Sequence, residues 1–127
     1  METLPDYLQP GLDIVLVGLN PSIPSARTGH YFANPRNRFW PAFNGAEMTP
    51  EPLTAETDYR VLEFGIGMTD IVKRPTPGVA DLKTADFHGG ALDLQDRLTT
   101  TAPRIVCFRG IMAATRYAHI PNGDRSK

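Results

Sequence analysis

Asp13-Ile14-Val15-Leu16-Val17-Gly18, followed by Leu19-Asn20-Pro21-Ser22, is the stretch that decides the fold. Its first six residues form a short continuous apolar run closed by glycine, the pattern of a strand buried on both faces. A strand covered on both sides belongs at the centre of a sheet. Working outward, Arg104-Ile105-Val106-Cys107-Phe108 reads as a second buried strand and Met68-Thr69-Asp70-Ile71-Val72 as a short third one. Phe87, Ala91, Leu94 and Leu98 recur at helical spacing, which predicts a helix over residues 83–100 despite Gly89-Gly90, ended by Pro103. A further helix is expected over residues 110–118. Phe39, Trp40 and Phe43 suit one face of a helical turn that anchors the preceding segment to the core. Thr49-Pro50-Glu51 has the form of a cap, a first-turn proline and a first-turn acid, and predicts one or two helical turns before Glu63. Residues 20–35, with Pro21, Pro24, Pro35 and Gly29, read as a long irregular loop. Strands alternating with helices imply an α/β fold with a mainly parallel central sheet, and hence three α/β/α layers.

The chain has 127 residues, enough for a single domain with one core. Hydrophobic residues make up 41% and charged residues 21%, which excludes a disordered polar chain. The net charge of -1 gives no global field to attract a polyanion, so any nucleic-acid role rests on local clusters. Arg36 and Arg38 bracket Asn37, and Lys73 adjoins Arg74. The lone Cys107 excludes an internal disulfide, and its apolar neighbours predict a buried thiol in a reducing compartment. No apolar stretch is long enough to span a bilayer, and the acids and prolines of residues 1–10 do not fit a signal peptide, so a cytoplasmic location is expected. His30, His88 and His119 lie too far apart for a metal site, and no metal is expected.

In open α/β sheets ligands bind beyond the carboxyl ends of the strands. The loops at Gly18 to Ser22, Thr69-Asp70 and Arg109-Gly110 all fall at that edge. Asn20 carries a neutral amide that can hold a water through its carbonyl oxygen while donating to a neighbour. An asparagine that simply satisfies the turn before Pro21 has the same local sequence.

The wider context separates these readings. Gly18-Leu19-Asn20-Pro21-Ser22, then Thr28-Gly29, Phe32-Ala33-Asn34-Pro35 and Asn37-Arg38-Phe39-Trp40, resembles the mismatch-specific uracil and thymine DNA glycosylase family of the uracil-DNA glycosylase superfamily. Gly67-Met68-Thr69-Asp70-Ile71-Val72, Arg74-Pro75-Thr76 and His88-Gly89-Gly90 fit the same pattern, so the resemblance runs from about Gly11 to Ala118. It implies a DNA repair hydrolase, free of cofactors, that excises uracil or a related mispaired or damaged pyrimidine from DNA. By resemblance, Asn20 positions the attacking water, backbone amides near Leu19 and Phe32 read the base edge, and Phe32 stacks on the flipped base. Ser22 and Ser25 leave room in the pocket and Tyr31 contributes to its wall. Asp70 could orient the water and stabilise the cationic sugar, or could be a capping or surface acid. Arg36, Arg38, Lys73 and Arg74 are candidate phosphate contacts.

Family members continue into another strand and a second motif, Asn-Pro-Ser-Gly-Leu-x-Arg, whose loop fills the gap left by the flipped base. This sequence ends first, which suggests one domain over residues 1–127 that is incomplete at its C-terminus and lacks the last strand and helix. The strand at residues 104–108 would then have an unpaired edge. An inactive or split fragment that binds DNA or a complementing chain without catalysis is the alternative. A nucleotide-binding protein is disfavoured, because no phosphate-binding glycine motif is present.

Overall fold

A computed structural model describes residues 3–109. Among them run β1 (Ile14–Gly18), α1 (Ile23–Thr28), α2 (Phe39–Gly45), a 3-10 segment (Ala55–Phe64), β2 (Ile66–Asp70), a short 3-10 turn (Val79–Asp81), α3 (Thr84–Thr101) and β3 (Ile105–Phe108). The strands form one parallel sheet in the order β2-β1-β3. β1 is central, as its unbroken apolar run requires.

Two cores cover the sheet and make three layers. On one face Val15 and Val17 of β1 pack with Ile71, Val72 and the α3 residues Phe87, Ala91 and Leu94. On the other, Ile66 and Met68 of β2 pack with Leu4, Tyr31, Trp40, Phe43, Leu53 and Val61. The register Ile14↔Ile66 and Leu16↔Met68 puts alternate residues of both strands on the same face. α3 lies close to the end of β2 because Gly90 has no side chain: a Cβ there would sit 2.3 Å from the Ile71 carbonyl oxygen. That contact explains a glycine in a helix interior, where it is otherwise unfavourable.

Three expectations require correction. Residues 20–35 are not one irregular loop, since they contain α1. Ser22 caps that helix through its Oγ, which accepts from the Ser25 N–H at 3.3 Å, Pro24 occupies its first turn, and Gly29 closes it in the left-handed conformation at φ 78°. The helical turns expected after Thr49 are capped at Thr54 instead, and they form a 3-10 segment. Cys107 is exposed rather than buried. In β3, Val106 and Phe108 reach the α3-side core, whereas Ile105 and Cys107 alternate to the opposite face, which none of the buried core side chains described there covers. The expected strand at residues 68–72 is observed as Ile66–Asp70. The expected helix over residues 110–118, His119 and the end of the chain lie outside the described residues.

Candidate active site

The register Gly18↔Asp70 brings the carboxyl ends of β1 and β2 level, and the Arg109 N–H donates to the Val17 carbonyl at 2.7 Å just beyond β3. All three edge loops therefore meet, and a cavity of about 110 Å³ opens between them. It is far roomier than the minimum for one water. Asn20, Ser22, Ser25, Tyr31, Phe32 and Asp70 line it together with Leu4, Pro21, Asn34, Asn37 and Arg109. The Leu19 side chain does not, packing instead against the α3-side core.

Asn20 is oriented by its partners. Its Nδ2 donates to the Arg74 carbonyl at 2.9 Å and to Thr76 Oγ1 at 2.9 Å. A carbonyl can only accept, so the amide nitrogen must face Arg74. Thr76 Oγ1 is free to accept because its own proton goes to the Gly78 carbonyl at 2.7 Å. With both N–H groups committed, Oδ1 is what this side chain has left to offer the cleft.

Asp70 is 4% exposed. Its Oδ2 accepts no hydrogen bond among the described residues, and Lys73 Nζ, at 3.7 Å, is close enough for attraction but too far for a hydrogen bond. Burial pushes its carboxyl up from the usual 3.8 to about 6, opposed by Lys73 and Arg97 and reinforced by Asp6. A Cβ on Gly18 would lie 2.7 Å from Asp70 Oδ1, so the glycine leaves the carboxylate its place beside the strand end. A buried acid with a raised pKa on a cleft makes Asp70 a candidate functional residue.

Phe32 adopts φ 54°, a conformation rare for a bulky residue. Its neighbours hold it there: the Tyr31 N–H donates to Asp58 Oδ2 at 2.7 Å and the Ala33 N–H to Ser25 Oγ at 3.2 Å. Phe39 stacks on the Phe32 ring at 3.9 Å. The Leu19 and Phe32 N–H groups donate no hydrogen bond among the described residues. Tyr31 is buried, donates its hydroxyl to the Pro5 carbonyl at 2.7 Å, and is held protonated well above the usual phenol range by burial.

The candidate phosphate contacts divide into two groups. Lys73 pairs with Asp6 at 2.8 Å, and Arg74 pairs with Asp86 at 2.8 Å, which holds the Asp86 carboxyl down at about 2. Arg36 and Arg38 are exposed and form no ion pair among the described residues. No cluster of three metal-ligating side chains occurs among the described residues, and no helix there is long and apolar enough to cross a membrane.

Sequence reasoning missed several participants. Arg109 lines the cleft with its guanidinium carbon 4.5 Å from the Phe32 ring centre; its position at the edge of the sheet was the only available signal. Buried Asp58 gathers the Tyr31 N–H, the Tyr7 hydroxyl at 2.9 Å and His30 Nδ1 at 3.1 Å, and no local motif announces that network. Thr76 and the Arg74 carbonyl orient Asn20 from more than fifty residues away.

An asparagine and a buried acid thus stand together at the carboxyl edge of a parallel sheet, the edge at which open α/β folds bind ligands. The family model of the uracil DNA glycosylase superfamily matches residues 5–126, and the chain belongs to that superfamily. Its structure is also similar to the solution NMR structure of a candidate uracil DNA glycosylase from Methanosarcina acetivorans, with 25% identity and a TM-score of 0.60 over 90% of this chain and 72% of that one.

Proposed function

We propose that this chain is a monofunctional DNA glycosylase of the mismatch-specific type, hydrolysing the N-glycosidic bond of uracil or a related mispaired or damaged pyrimidine in DNA. The observation that carries the reading is Asn20: both amide protons are committed to protein acceptors, which leaves its carbonyl oxygen on a cleft shared with buried Asp70. In this mechanism the flipped base stacks on Phe32 between the small walls at Ser22 and Ser25 and beside Tyr31, while the backbone near Leu19 and Phe32 supplies unengaged N–H groups to its edge. Asn20 holds a water toward the anomeric carbon. As the glycosidic bond breaks, the base departs with its electron pair, the sugar becomes cationic and the water oxygen bonds to the anomeric carbon. Asp70 in its ionised form stabilises that cation and takes the water's proton. Flipping costs a few kcal/mol and is easiest at a mispair, which supports a mispair preference without a dedicated reader. Arg36 and Arg38, with Lys73 and Arg74 after rearrangement of their ion pairs, contact phosphates.

The test is release of free uracil, with formation of an alkali-labile abasic site, from duplex and single-stranded oligonucleotides carrying one uracil. Free base from the wild-type chain, lost in Asn20→Ala, is the expected result. DNA binding without base release in any substrate would overturn the enzymatic reading in favour of a non-catalytic DNA-binding chain.

A further inference from the structure

Excision leaves negative charge on the departing base, and the cations around the cleft differ in their freedom to meet it. Lys73 is held by Asp6, Arg74 by Asp86, and Arg97 donates to the Asp70 carbonyl at 3.1 Å and lies 3.4 Å from Asp6. Arg109 is the cation on the cleft wall among the described residues; its guanidinium is attracted by the Asp70 carboxylate but is not held by it in a hydrogen bond or close ion pair.

Its placement relative to Phe32 matters. The guanidinium carbon is 4.5 Å from the Phe32 ring centre and 5.9 Å from that of Phe39, while the two rings are 3.9 Å apart. A guanidinium capping the stack would stand from Phe39 at nearly the sum of the other two distances. The observed value is far shorter, so Arg109 lies to the side of the stacked pair rather than on the Phe32 face turned from Phe39. A planar base on that face would present its edge to the guanidinium, whose fixed fork of donors suits a carbonyl oxygen.

We propose that Arg109 contacts the leaving group, donating hydrogen bonds to the base oxygen on which negative charge accumulates as the glycosidic bond breaks. This inference rests on the glycosylase reading above and specifies its substrate class: pyrimidines with a carbonyl oxygen at the edge, which depart as anions. The bond's electron pair stays on the base, Arg109 remains protonated, and the base is protonated afterwards by solvent.

The test compares single-turnover excision of uracil and of 5-fluorouracil, a better leaving group, by the wild-type chain, Arg109→Gln and Arg109→Lys. An oxyanion donor is worth about 10²–10³-fold in rate. Arg109→Gln is therefore expected to slow uracil excision by about 10²-fold and 5-fluorouracil excision by less than about 10-fold, because a more stable anion needs less help. Arg109→Lys should recover part of the uracil rate. The ratio of the two rate constants is read within one variant and does not depend on how much of it is folded. Equal slowing of both bases, or no slowing of either, overturns the leaving-group role while the glycosylase reading stands. A wild-type chain that releases neither base overturns that reading and this inference with it.

Discussion

Replacing Asp70 with asparagine should make the protein more stable and a poorer catalyst. Burial raises the Asp70 carboxyl from 3.8 to about 6, with Lys73 and Arg97 opposing the rise only in part. A carboxyl whose pKa is higher folded than unfolded binds more protons in the native state, so stability falls as pH rises between the two values. Below 3.8 the group is neutral in both states and costs nothing. Above about 6 the full cost applies, and at 1.36 kcal/mol per pH unit it is about 3 kcal/mol. Asparagine removes the charge with little change of shape, and Lys73 keeps its pair with Asp6 at 2.8 Å. The Lys73 attraction is already contained in that net shift, and the buried amide N–H groups of the new asparagine reduce the gain where they find no acceptor, so about 1–3 kcal/mol is expected near pH 7.5, shrinking near pH 4. Urea unfolding across that range reads the difference, with the midpoint of Asp70→Asn higher by roughly 1 M at neutral pH for a domain of this size. Single-turnover excision by the same variant should be slower by about 10²-fold, and the wild-type rate should rise with pH through about 6 as the carboxyl ionises. A variant destabilised equally at every pH would refute the burial argument. Unchanged excision would remove Asp70 from the chemistry.

Two further outcomes follow from the same geometry. Asp58→Ala leaves the buried Tyr31 N–H and the Tyr7 hydroxyl without their acceptor, so a loss of roughly 3 kcal/mol is expected in urea unfolding, with part of it recovered in Asp58→Asn, whose single amide oxygen can still accept from the Tyr31 N–H. Replacing Arg36 and Arg38 together by glutamine should weaken duplex binding alike for any sequence and flatten the log affinity against log salt slope by about 1–2, measured by fluorescence anisotropy.

Much of the fold is legible in the sequence where a single physical rule dominates. The run at Ile14–Gly18 has no polar side chain to place outward, so it can only be central, and the period of Phe87, Ala91 and Leu94 is that of a helix with one buried face. α1 is hidden because its one proline, Pro24, sits in the first turn, where it is tolerated, rather than acting as a breaker; Ser22 and Gly29 are the signals that bound it. The apolar neighbours of Cys107 do not reveal its exposure, because alternation in β3 turns it to a face whose cover depends on tertiary layering. At the site, Asn20 stands out through its local motif. Its orientation depends on Thr76 and Arg74, and the setting of Phe32 on Asp58, contacts that arise only once the chain has folded.

The most direct test of the central claim, that this cleft directs a water at a glycosidic bond through Asn20, is the single-turnover rate of uracil release by the wild-type chain and by Asn20→Ala. Removing a group that positions the nucleophile is expected to slow release by about 10²–10⁴-fold while leaving DNA affinity within a few-fold. Release at an undiminished rate in Asn20→Ala would contradict the claim.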